Sequence, residues 1–217
     1  MFNKKNDLEK SWLVKNAEFD KEDIPFIRTA LELPQELVRF SQRNGSNEFH
    51  KWIHFFERDK DFICLWNNPK KYLPRLKKFA GIISPDLSYY ADYPIPIQYQ
   101  NKYRNHALSH WLSTKGVPVI PNVRWANRRS YGFCFRGVEK NSVVAIGTHG
   151  QMKSAENKKL FLEGLPVMMA TLSPHTIIIY GKAPDEIWKE YSESGINIIQ
   201  FPSEKETYHE AKKEATA

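Results

Sequence analysis

Four polar clusters in this chain carry residue types suited to acid–base or anion chemistry. Each directly follows an apolar run. Ser84-Pro85-Asp86 follows Gly81-Ile82-Ile83, and Asn122-Val123-Arg124-Trp125 follows the run at 117–120. Gly147-Thr148-His149-Gly150 follows Val143-Val144-Ala145-Ile146, and Gly181 follows His175-Thr176-Ile177-Ile178-Ile179-Tyr180. A carboxylate, an imidazole, a guanidinium, a carboxamide and a hydroxyl brought to one place suffice for proton transfer on an anionic substrate. His149 and Asp86 are the candidate acid–base pair. His149 lies between two glycines, which permit tight turns and close approach of a ligand. Asp86 has a plain alternative as a turn cap. Arg104, Asn122, Arg124, Trp125, Thr148 and Gly150 are the candidate ligand-binding residues. Thr148 has a simpler alternative as a helix cap.

Charge points to the same kind of ligand. The chain has 32 Lys and Arg against 25 Asp and Glu, a net charge of +7. Between Tyr93 and Val138 there is no acid at all, and that stretch holds Lys102, Arg104, Lys115, Arg124, Arg128, Arg129 and Arg136. These seven account for the whole excess. Such segregation reads as a footprint for an anionic partner, a nucleotide or nucleic acid. Tyr89, Tyr90, Tyr93, Tyr99, Tyr103 and Trp125 interleave with it, a mixture that serves base stacking or ordinary core packing. On a helical wheel of residues 97–112, Arg104 falls within the face of Ile97, Ala107, Leu108, Trp111 and Leu112. It therefore needs a carboxylate such as Asp86 or Asp92, or a ligand anion. The same wheel puts His106 and His110 on the polar side.

Several chemistries are not supported. His50 and His54 have i,i+4 spacing, but no Glu follows the first, so no metal is assigned. The Gly-Thr-His-Gly loop lacks both the Gly-Lys-Ser/Thr ending of a Walker motif and a full dinucleotide fingerprint, so no cofactor is assigned. No apolar run approaches the roughly 20 residues that cross a bilayer. The N-terminus lacks a signal-peptide core, and Cys64 and Cys134 read as reduced core thiols. The expected setting is cytoplasmic, with no membrane partner.

The elements that position the clusters alternate between strand and helix. Strands are expected near 37–40, 81–83, 117–120, 142–146, 175–180 and 196–201. Helices are expected at 47–58, 69–78, 96–113, 154–172 and 183–192, with a short turn at 128–135. Residues 62–66 suit either state. Short, β-branched strands, apolar on both faces and alternating with helices, signal an α/β fold with a parallel sheet. One domain at 37–202 is expected, with five or six strands flanked by helices. A doubly wound open sheet is the first form of it, and a partial or irregular β/α barrel the alternative. An irregular lead-in (1–36) precedes it and a charged, frayed tail (203–217) follows. In either architecture the polar clusters share the rim at the carboxyl ends of the strands.

Taken in order, Ser84-Pro85-Asp86-Leu87-Ser88, Tyr103-Arg104-Asn105, Ile120-Pro121-Asn122-Val123-Arg124-Trp125, Gly147-Thr148-His149-Gly150 and Ile179-Tyr180-Gly181 resemble a bacterial and phage family, domain of unknown function number four-four-one-seven. The resemblance runs from about Phe49 to Phe201. It implies carriage on phages and mobile elements, and it implies no activity or catalytic residue. The residues themselves suggest an acid–base enzyme acting on a nucleotide or nucleic-acid phosphate or sugar. The alternatives are a non-catalytic nucleotide- or nucleic-acid-binding module and a basic interaction protein.

Overall fold

The computed structural model describes residues 7–152 and 154–214. Seven strands form two parallel sheets. β1 (Leu37–Arg39), β2 (Trp52–His54), β3 (Gly81–Ile83) and β4 (Val119–Ile120) make one; β5 (Val143–Gly147), β6 (Thr176–Tyr180) and β7 (Asn197–Phe201) make the other. Both run in sequence order, and a single bridge, Asn122 to Ala145, joins β4 to β5. A doubly wound sheet needs a reversal of winding direction, and this order has none. The sheets instead curve toward each other. His54 on β2 and Tyr180 on β6 are far apart in strand order, yet their rings lie 4.3 Å apart. Among the described residues no ladder joins β7 back to β1, so the barrel is not closed.

Strand alternation sorts the side chains into three cores. Trp52, Ile83, Ile120, Val143, Ala145 and Ile178 point inward and form one cluster drawn from both sheets. Ile53, Ile82 and Val119 point outward against α1 (Asp59–Asn67), α2 (Pro69–Leu76) and α3 (Ile95–Thr114). Val144, Ile146, Ile177 and Ile179 point outward against α5 (Ala155–Leu172) and α6 (Asp185–Glu193). The short α4 (Tyr131–Cys134) also packs there through Phe133.

The structure corrects several sequence readings. Residues 47–58 are not a helix. Trp52, Ile53 and His54 are all buried, and a fully buried strand carries no alternation to distinguish it from a helix face. Residues 62–66 are helical, within α1. The lead-in buries Leu13, Ile24 and Ile27, and the Ala30 N–H donates to Val119 O at 2.8 Å. The described part of the tail is a helix, α7 (Glu204–Glu214). His106 is buried, not on a polar face, with Nδ1 2.8 Å from Pro25 O.

Candidate functional site

The carboxyl ends of β3 and β4 bring Asp86, Asn122 and Arg124 into direct contact. Asn122 Nδ2 donates to Asp86 Oδ1 at 2.6 Å, and Arg124 Nη1 lies 3.2 Å from Asp86 Oδ2. The same guanidinium nitrogen donates to Ser88 Oγ at 3.2 Å, and Ser88 Oγ donates to Asp59 Oδ1 at 2.9 Å. Ser84 Oγ accepts the Asn122 N–H at 2.7 Å, tying the two strand ends together. Asp86 is 7% exposed. Loss of hydration raises its pKa to about 6, against the opposing pull of Arg124 and Asn122. A carboxyl poised there exchanges protons near neutral pH, as a general acid or base must.

Beside this cluster lies a cleft of about 480 Å³. Its walls include Asp86, Arg124 and Ser88, together with Arg39 from the end of β1, Phe56 and Arg58 from the segment after β2, and His149 from the segment after β5. Tyr90 is 51% exposed at the wall. Arg58 pairs with Asp61 at 2.8 Å, and Arg39 pairs with Glu204 at the start of α7, at 2.6 Å. Two glycines set the shape. A Cβ on Gly147 would lie 2.7 Å from the Phe56 ring, which is stacked on Tyr180. Gly181 has φ +110°, and a Cβ there would lie 2.7 Å from Thr148 Oγ1 and 2.8 Å from His149 N. Only glycine permits that backbone and that approach.

The sequence-selected residues divide into three groups. Asp86, Arg124 and His149 line the cleft, and Asn122 reaches it through Asp86. Thr148 is buried, its hydroxyl donating to Lys182 O at 2.8 Å, while Gly150 lines a second cavity beyond His149. Trp125 and Arg104 do not line this cleft, although Trp125 borders a small adjoining pocket with Asn122 and Arg124. Trp125 is 5% exposed, stacks on Phe161 at 5.1 Å and donates to Leu160 O at 3.3 Å. Arg104 is neither at the rim nor paired with Asp86 or Asp92. Its partner is Glu9 in the lead-in at 2.9 Å, and its guanidinium lies over the Trp66 ring.

The basic stretch is likewise partly consumed by the fold. Lys102 is buried and donates to Cys134 O at 2.9 Å, its pKa pulled down to about 7 by desolvation. Arg136 lies 3.5 Å from both Asp20 and Glu22. Sequence reasoning missed Arg39, Phe56 and Arg58. The signal was present in principle, since Arg39 ends an apolar strand and Phe56-Glu57-Arg58 follows another. Reading 47–58 as a helix hid the second of these. Among the described residues one acid–histidine group, Glu36, Glu48 and His50, has metal-like spacing, and all three are exposed. Lys51 Nζ already sits 3.0 Å from Glu36 and 2.9 Å from Glu48, supplying the positive charge a metal ion would bring.

Comparison with known proteins gives a family rather than an activity. Residues 17–202 match the family described as Domain of unknown function (DUF4417). The chain is 32% identical over 159 residues to the Gene 1 protein of Mycobacterium phage L5, covering 73% of this chain and 67% of that protein. It is 28% identical over 163 residues to the Gene 1 protein of Mycobacterium phage D29, covering 74% of this chain and 60% of that protein. The chain thus spans about three-fifths to two-thirds of the length of these relatives. No solved structure matches it.

Proposed function

The chain belongs to the family of domain of unknown function DUF4417, with relatives in mycobacteriophages, and from its rim chemistry we propose that it is an acid–base enzyme acting on a nucleotide or a nucleic-acid end. One observation carries this reading. Asp86, with a pKa near 6, is held by Asn122 and Arg124 in a cleft whose other walls bear Arg39, Arg58 and His149 beside the carboxylates of Glu57 and Asp61. Asp86 exchanges the proton, and Asn122 and Arg124 orient its carboxyl. The guanidinium groups face the anionic part of the substrate. The exposed ring of Tyr90, edge-on to Tyr93 at 4.8 Å, offers a stacking surface for a base.

Binding of nucleotides and short oligonucleotides at low salt is the first test, followed by product analysis. Arg124→Ala is expected to weaken binding roughly tenfold or more, as loss of a charge-assisted contact does. Asp86→Asn is expected to retain binding and lose turnover. Arg104→Ala, remote from the cleft, is the control and should change neither. Failure of every nucleotide and oligonucleotide to bind the intact protein would sink the proposal.

A second reading is a non-catalytic binding module. It is favoured by the direct Asp86–Arg124 pair, which satisfies both charges without a ligand. The bound molecule then emerges chemically unchanged.

A further inference from the structure

A second cavity of about 320 Å³ lies on the far side of His149. Its walls include His149, Gly150, Lys182, Ser203, Lys205 and Glu206. His149 is thus common to both cavities. Three features of the second cavity favour an anion. Lys182 and Lys205 are both exposed, and neither has an ion-pair partner among the described residues. Ser203 directly precedes α7, the helix of 11 residues at Glu204–Glu214, so the cavity lies at that helix's positive end. Ser203 is only 2% exposed, yet among the described residues its Oγ has no hydrogen-bond partner, while a buried hydroxyl ordinarily has one. Its backbone groups are accounted for separately. Its N–H donates to Glu206 Oε2 at 2.7 Å, and its carbonyl accepts from Thr207 N–H at 3.0 Å. Glu206 already caps the Ser203 N–H and Glu204 pairs with Arg39, so the two lysines supply the positive charge left over for an anion.

The geometry points to a phosphate-anchoring subsite here, formed by Lys182, Lys205 and the Ser203 hydroxyl at the amino end of α7. The inference rests on the proposed reading of the rim as a ligand site and narrows its substrate to a nucleotide or nucleic-acid end that carries a terminal phosphate in addition to the anionic group facing the rim guanidiniums. The phosphate is held as a handle in this cavity, and the reacting part of the molecule passes His149 to reach Asp86. In parallel β/α architectures a phosphate site at the last strands and the start of an extra helix is a recurrent solution, because several N–H groups converge there. The phosphate itself is not transferred, since the proton-exchanging carboxyl is in the other cavity.

Inorganic phosphate titrated into the full-length protein at low ionic strength, followed by ³¹P NMR or calorimetry, tests this directly. The Lys182→Ala/Lys205→Ala double variant is expected to bind phosphate at least about tenfold more weakly. Ser203→Ala should weaken it several-fold with an unchanged melting temperature, because that hydroxyl holds nothing in the free protein. Arg124→Ala should leave phosphate affinity within about twofold. The inference is overturned if the intact protein does not bind phosphate, or if the lysine pair has no effect. It is also overturned if Arg124→Ala alone removes binding, since the anion then sits in the main cleft and the proposed enzyme stands without this subsite. Phosphate binding lost with the lysines, alongside no turnover of any phosphate monoester, keeps the subsite and removes the enzyme.

Discussion

Asp86 is a cleft residue whose environment moves it well away from its chemistry in water. Its carboxyl is buried and its pKa rises from the ordinary 3.8 to about 6. The folded state therefore holds this proton more tightly than the unfolded state. The stabilisation is complete below the unfolded value and is lost as pH rises through about 6. Comparing the pH dependence of stability in the native protein and in Asp86→Asn isolates this effect. The difference between the two curves should fall between about pH 4 and pH 6, by on the order of 2–3 kcal/mol, and be flat above. A difference curve that is flat across that window and rises only below about pH 4 would mean Asp86 is held below its ordinary value. His54 behaves oppositely. Burial, with Arg39 nearby, lowers its pKa to about 3. Its imidazole is neutral at pH 7 and accepts the Phe56 N–H at Nδ1, 3.2 Å away.

At the scale of elements, α3 contributes buried polar side chains beside its apolar Ala107, Leu108, Trp111 and Leu112. Gln98, Asn101, Lys102, Asn105, His106 and Ser109 are all buried on it. Three of them serve the irregular segment that follows Asp86. Asn105 Oδ1 accepts the Leu87 N–H at 3.1 Å, Asn101 Nδ2 donates to Ser88 O at 2.8 Å, and Gln98 Nε2 donates to Tyr90 O and Tyr93 O at 3.0 Å each. A loop with few ladder bonds of its own is held by a neighbouring helix, because buried backbone groups must be satisfied. Asn105→Ala should thus destabilise the protein by roughly 1–3 kcal/mol, the cost of unpaired buried groups. It should also lower turnover more than it weakens binding, since it loosens the segment carrying Asp86 and leaves the arginines in place. Chemical denaturation and steady-state kinetics together check this, and unchanged stability would count against it. The hydrophobic wheel found the buried Ala107, Leu108, Trp111 and Leu112 but misplaced His106, because it scores His as solvent-facing. Its partner, Pro25 O, lies 81 positions away in sequence.

At the scale of the molecule, the strands are not equally protected. β6 has both neighbours paired and all five residues buried. β7 pairs only with β6, and none of its residues is fully buried. A cleft of about 510 Å³ separates the edges, lined by Leu37, Arg39, His54, Tyr180 and Phe201, and spanned by the Arg39–Glu204 pair. Amide exchange should be slowest in β5 and β6 and markedly faster in β7. Equal protection of β6 and β7 would show that the seam is closed in solution. α7 meets the rim at this opening, through the pair of its Glu204 with Arg39 at the end of β1.

The sequence by itself determined the α/β class, the parallel strands and the rim position of Asp86, Asn122, Arg124 and His149. Those follow from local signals, apolar β-branched runs that stop on polar residues. It also led to the family, through short motifs taken in order. Tertiary structure alone decided which charges are spent. Arg104 looked like an anion anchor because its partner, Glu9, lies 95 positions away in the lead-in. Arg39 and Arg58 looked unremarkable because the curvature that puts them on the same cleft as Asp86 comes from sheet packing, which no window of sequence encodes. Chain order places a residue at a strand end. Only the closing of the sheets decides whether its charge meets another side chain or a cleft.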